Sequence, residues 1–132
     1  IVRASRNYDV IVIDYIQRMP GDTMDEKSNT KRNTKELSRL MMEQDKIIIL
    51  ISSIARVAYG KEDLSVFKEC GDIEFCIQSG MLLKAVGKSI DGTDQMMNVV
   101  VLKNTRGHSG GNFWMKVNYL HNLFQEIEPD LA

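Results

Sequence analysis

The chain has 132 residues, 43% of them hydrophobic, which is enough for one sizeable core, so a single layered domain is expected. Seventeen basic and eighteen acidic residues leave a net charge of −1, which argues against a histone-like binder; any nucleic-acid contact must come from a local cluster. No apolar run approaches the ~18 residues of a membrane span and no basic-then-apolar signal opens the chain, so a soluble, cytoplasmic protein without membrane association is expected. The opening "IVRASRNYDV" has no initiator Met and comes shortly before a strand expected to be interior, which points to a piece of a longer protein. Cys70 and Cys76, with His108 and His121 far away in sequence, show neither zinc-ligand spacing nor a Cys-x-x-Cys pair.

The run Val10 to Ile13 is wholly β-branched and predicts a strand. Its lack of period-2 alternation favours an interior strand of a parallel sheet covered on both faces, although so short a run is also compatible with a buried helical segment. Asp14 follows at the carboxyl end, the edge at which open α/β sheets bind ligands. It is either a ligand-site carboxylate or a residue that ends the strand and caps a turn. Next, "RMPGDTMDEKSNT" is polar and carries a Pro-Gly pair, which predicts a loop, with a helix after it. Leu37, Leu40 and Met41 fall at i, i+3, i+4, while Lys27, Lys31, Lys35 and Arg39 form a basic stripe, expected to be a solvated face rather than a binding surface. "KIIILISSIAR" is a second β-branched run, ending in Ser52, Ser53 and Arg56. Strand, helix and strand in this order predict a βαβ unit with parallel strands.

The segment "VAYGKEDLSVFKECGDIEFCIQSG" predicts a loop and then a short helical turn around Ile73 to Ile77. Beyond it, "MLLKAV", "QMMNVVVLKN", "GNFWMKVNYL" and "LFQEIE" are separated by "GKSIDGTD", "TRGHSGG" and "HN", the pattern of antiparallel hairpins. Phe113, Met115, Val117 and Tyr119 alternate with Trp114, Lys116 and Asn118, so one buried face is expected. The final "PDLA" is expected to fray. The fold class is therefore α/β, with parallel strands and helices followed by an antiparallel β-meander.

An aspartate at a strand end raises phosphate binding, but the chain has no G-x-x-x-x-G-K-[ST]. In the nearest approach, "ARVAYGKE", Ala55 replaces the first glycine and Glu62 the hydroxyl residue, so Gly60-Lys61 is a coincidence. In "LKNTRGHSGG", Lys103 and Arg106 follow an apolar strand and enter a glycine-rich turn. They are either cations aimed at phosphate or the solvated charges of a hairpin, and spacing favours the second. Ser52 and Ser53 have no G-x-S-x-G context, and neither histidine shows a partner pattern.

Taken in order, four segments resemble the C-terminal part of the RecA-type ATPase domain of DnaB-family replicative helicases. "VIVIDYIQRM" is similar to the Walker B strand with its Asp-Tyr-Leu-Gln extension, and "ILISSIAR" to the strand carrying the sensor residue, Leu-Ser-Gln-Leu-Asn-Arg. "VFKECGDIEFCIQSGMLLK" resembles the Leu-Arg-Glu-Ser-Gly-x-Ile-Glu segment, and "VVLKNTRGHSGGNFWMKVNYLHNLFQEI" the Lys-x-Arg-x-Gly-x-x-Gly hairpin with the final strands. The resemblance spans nearly all of residues 1–132 and implies a partial RecA-like P-loop ATPase core whose Walker A half and catalytic glutamate lie upstream of these residues. It implies ATP and Mg²⁺ as cofactors, single-stranded DNA as partner, and neighbouring protomers of a homo-hexameric ring. Asp14 would hold Mg²⁺ through water, with Tyr15 beside it at the nucleotide. Ser53 would take the sensor position, where the family has Gln. Lys68, Glu69 and Gly71 would face the central channel and contact DNA phosphates. Lys103 and Arg106 would reach the γ-phosphate of the next protomer, although gap-free alignment puts Thr105 at the finger position and Arg106 one residue later. In a strand such a shift turns a side chain to the other face unless a bulge intervenes. "FCIQ" replaces the family's acidic "D-A-D". The alternatives are a non-catalytic RecA-fold DNA-binding or assembly module, and a RecA-type recombinase or clock-type ATPase.

Overall fold

The computed structural model describes residues 6–54, 59–70, 73–87 and 92–128, with the backbone alone described at 68–70. Contacts divide the chain into two compact units, Ile1–Ile77 and Gln78–Ala132.

In the first unit, β1 (Val10–Asp14) and β2 (Ile47–Ile51) pair in parallel, in register from Val10↔Ile47 to Asp14↔Ile51. Between them lie a 3₁₀ turn at Ile16–Arg18 and the long helix α1, Glu26–Gln44. The parallel βαβ arrangement expected from the two β-branched runs is present. The covering of both sheet faces is not: among the described residues β1 pairs with β2 alone, and burial alternates along both strands. Val10 and Ile47 are 50% and 61% exposed, whereas Ile11, Ile13, Ile48 and Leu50 are half-buried. A β-branched run reports strand preference, and it does not say which layers cover the strand.

Helix α1 starts inside the segment whose polarity predicts a loop. Asp25 caps it, its carboxylate accepting from the backbone N–H groups of Lys27 and Ser28 at 3.3 and 3.0 Å. These are two of the donors that a helix start leaves without an intrahelical partner. Its buried stripe runs Thr30, Asn33, Thr34, Leu37, Leu40, one face at helical spacing. The polar part is tied down internally: Asn33 Nδ2 donates to the Pro20 carbonyl at 3.1 Å, and Thr34 Oγ1 to the Thr30 carbonyl at 2.8 Å. Ile16, fully buried in the 3₁₀ turn, packs beneath this helix. At the other end Asp45 turns left-handed (φ 50°) to stop the helix, and the Ile47 N–H then bonds the Asp9 carbonyl at 2.9 Å to begin the parallel ladder.

The segment expected to be a loop before Ile73 instead winds into a 3₁₀ helix, Leu64–Cys70, which buries Val66 and Phe67. Asp63 Oδ1 accepts the Ser65 N–H at 2.7 Å and starts it. The expected helical turn follows at Ile73–Cys76.

The second unit is the expected antiparallel meander of β3 (Ser79–Val86), β4 (Asp94–Asn104), β5 (Asn112–Asn118) and β6 (Leu123–Ile127), in that spatial order. β4 is interior and is buried on both faces, Val99 on one and Val100 on the other. The alternation expected along β5 is only partly realised. Val117 is buried, but Trp114 and Asn118 are as covered as Phe113 and Met115, and Tyr119 is exposed beyond the strand end. Among the described residues no helix is long and apolar enough to cross a membrane.

Candidate functional site

Parallel pairing decides where the first candidate residues meet. Since Asp14 stands opposite Ile51, the chain leaving β1 and the chain leaving β2 do so side by side, and Ser52 and Ser53 lie at the level of the turn after Asp14. Asp14 is exposed, Tyr15 and Ser52 are half-buried, and Ser53 is exposed. The 3₁₀ turn then returns Gln17 toward β2. Gln17 Nε2 donates to Ser52 Oγ at 2.9 Å and to the Ser53 carbonyl at 3.2 Å, while the Ser53 N–H donates to Gln17 Oε1 at 3.4 Å. Arg18, one residue on, donates from Nε to the Tyr15 hydroxyl at 2.8 Å and sets its guanidinium 5.5 Å from the centre of the Tyr15 ring. The hydrogen bond to Tyr15 raises the Arg18 pKa further, so this cation is permanent at the strand end.

The cluster therefore combines one exposed carboxylate, three hydroxyls, a clamped carboxamide and a guanidinium. Among the described residues no three His, Cys, Asp or Glu side chains gather as a metal-binding group. Asp14 is the one carboxylate of this cluster, and a single carboxylate would hold Mg²⁺ only with water and phosphate oxygens completing the ion's shell. Gln17 and Arg18 were not among the candidates from sequence. Their signal was their place three and four residues after Asp14, where a single tight turn folds them back onto the strand ends.

Lys103 and Arg106 belong to the second unit. β3 and β4 match Gly80 to Lys103 and Met81 to Val101, which leaves Leu102 as an inserted residue. This bulge puts Lys103 on the face of Gly80, Leu82 and Val100, whereas unbroken alternation would put it with Val101. The strand stops at Asn104, so Thr105 and Arg106 lie in the turn and the face-alternation argument no longer governs them. That turn is built by local bonds. The Asn104 side chain accepts the Arg106 N–H at 3.2 Å, the Thr105 N–H bonds the Gln78 carbonyl at 3.0 Å, and Gly110 and Val101 bond at 2.8 Å. Arg106 is exposed at the tip, and Lys103 is half-buried on the strand.

Lys68 and Glu69 fall in the 3₁₀ helix Leu64–Cys70, their side chains outside the described residues, and Gly71 also lies outside them. Gly60-Lys61 occupies an exposed turn. In the basic stripe of α1, Arg39 is held between Glu36 and Glu43 at 3.0 and 3.1 Å, in keeping with a solvated face. A shallow pocket of ≈ 100 Å³ on the meander is lined by Asp94, Lys116, Asn118, Leu123 and Gln125, and its polar groups bind one another, with Lys116 Nζ 2.6 Å from Asp94. Compared with models of known families and with curated proteins, the chain matches none.

Proposed function

We propose that this chain is the C-terminal part of the RecA-type ATPase domain of a DnaB-like, cytoplasmic, hexameric replicative helicase, which moves on single-stranded DNA with ATP and Mg²⁺. The observation that carries the reading is the side-by-side exit of β1 at Asp14 and β2 at Ser52–Ser53 from a parallel ladder. It supports the resemblance, because the two segments that resemble the Walker B and sensor strands leave the sheet at one edge, where α/β folds bind ligands.

In this reading Mg²⁺ would neutralise phosphate charge; Asp14 would hold it through water, and Arg18, anchored on Tyr15, adds a cation to the same turn. The 3₁₀ turn and Gln17 hold the two strand ends in register. Lys103, re-aimed by the Leu102 bulge, and Arg106, at the turn tip, are the cations that would reach a neighbouring protomer's γ-phosphate. Residues 1–132 contain no P-loop, so in this reading the nest of backbone N–H groups that cradles phosphates would be supplied by another segment.

The test is the intact natural polypeptide containing these residues. A P-loop upstream of Ile1, ATP turnover stimulated by single-stranded DNA, duplex unwinding, and loss of turnover in Asp14→Ala are the expected results. Strand exchange without unwinding would assign a recombinase. DNA binding without turnover would assign a non-catalytic RecA-fold module, a reading favoured by Ser53, which offers only a short hydroxyl at the sensor position.

A further inference from the structure

We infer that Gln17 is a positioning residue that couples the Asp14 strand end to the chain leaving β2. The inference rests on the nucleotide-site reading above. It starts from the ladder itself, whose last rung is Asp14↔Ile51; β1 then turns away into Ile16–Arg18 and offers β2 no further backbone rung. The Gln17 carboxamide takes that place. Its oxygen accepts the Ser53 N–H and its nitrogen donates to the Ser53 carbonyl, the two bonds a strand neighbour would make. Its nitrogen also reaches Ser52 Oγ, whose hydroxyl in turn donates to the Ser53 carbonyl at 3.2 Å.

Few side chains can do this. A carboxylate has no donor, an ammonium has no acceptor, and Asn is one methylene shorter. A hydrophobic residue would end the ladder at Ile51. The carboxamide at this edge is that of Gln17, which stands at the Gln of the Asp-Tyr-Leu-Gln extension, while position 53, where the family has Gln, carries a serine. Any shift of the turn after Asp14 would thus pass through three hydrogen bonds to Ser52 and Ser53.

The experiment uses the intact natural polypeptide with single-stranded DNA, and compares wild type with Gln17→Met, which keeps the length and stem of the side chain but removes the carboxamide, and with Ser52→Ala. The expected result for Gln17→Met is a fall in kcat of about 10- to 100-fold with KM for ATP within about twofold, together with loss of the ATP dependence of DNA affinity. Ser52→Ala should give a smaller loss of the same kind. Circular dichroism establishes that each variant is folded. Wild-type kcat in folded Gln17→Met, or a raised KM with unchanged kcat, overturns the inference and leaves the helicase reading intact. If Gln17→Met does not fold, wild-type kinetics in Ser52→Ala overturn it, because the residue is then structural only. A wild-type protein without turnover overturns the helicase reading and this inference with it.

Discussion

Asp14 and Ile51 face each other in the last rung of the β1–β2 ladder, so the first polar residues after each strand emerge at one level of one sheet edge. An exposed carboxylate in this position contributes little to packing.

Asp14→Ala is therefore expected to change the stability of the 132-residue chain by less than about 0.5 kcal/mol, as for other exposed sites, in a denaturant titration. The same chain should release no phosphate from ATP, since it has no P-loop. Phosphate release that Asp14→Ala abolishes would contradict this.

Asp25 caps α1 and its carboxyl is held below the usual carboxylate range, first by the Ser28 hydroxyl and then by the backbone N–H groups of Ser28 and Lys27. With the folded pKa depressed, the stabilising effect is present above the unfolded pKa of about 4 and is lost as pH falls through the lower folded value. Thermal melts followed by helical circular dichroism should show Asp25→Ala melting a few degrees below wild type at pH 7, with the gap narrowing as pH falls below the usual carboxylate range. Asp25→Asn, which caps without ionising, should show no such pH dependence.

Leu37 is 4% exposed and Phe75 is 75% exposed, although both are large and apolar. Leu37→Ala should cost about 2–5 kcal/mol through the cavity it leaves in the first unit. Phe75→Ala should stay within about 0.5 kcal/mol. Equal effects in urea titrations would mean that the α1 face is not packed as described.

The turn between β4 and β5 depends on Gly110, whose φ of +85° is a conformation that an L side chain adopts only with strain, although nothing lies within 4 Å of the place a Cβ would take. Gly110→Ala is expected to cost about 1–2 kcal/mol. Arg106→Ala, at the exposed tip, should leave the melting curve unchanged. In the intact protein the Arg106 variant should lose about 10³- to 10⁵-fold in ATP turnover, the range for an arginine finger, and an unchanged rate would remove Arg106 from that role.

For DNA, Lys68→Ala in the intact protein should weaken binding about equally across sequences and flatten the slope of log affinity against log salt by about one. An unchanged slope in fluorescence anisotropy titrations would take Lys68 out of the interface.

The two β-branched runs, the polar breaks and the hairpin spacers were sufficient to read the parallel pair and the meander, because strand propensity and turn chemistry act within a few residues of their own position. The helix start was misread for a local reason: "MDEKSN" looks like a loop by polarity, and the capping geometry of Asp25 is what makes it a helix. Its buried stripe was only half visible, since Thr30, Asn33 and Thr34 are buried as hydrogen-bonded polar groups that no hydrophobic period reveals.

By itself the sequence determined the strands, the order of the elements and the presence of an aspartate after β1. Tertiary structure alone decided that Asp14 leaves the sheet beside Ser52 and Ser53, that Gln17 extends the ladder with its side chain, and that a bulge at Leu102 sets the face of Lys103. The physical reason is that strand register and hydrogen bonds between residues some 35 positions apart depend on how the chain folds back, and local propensity carries no record of it.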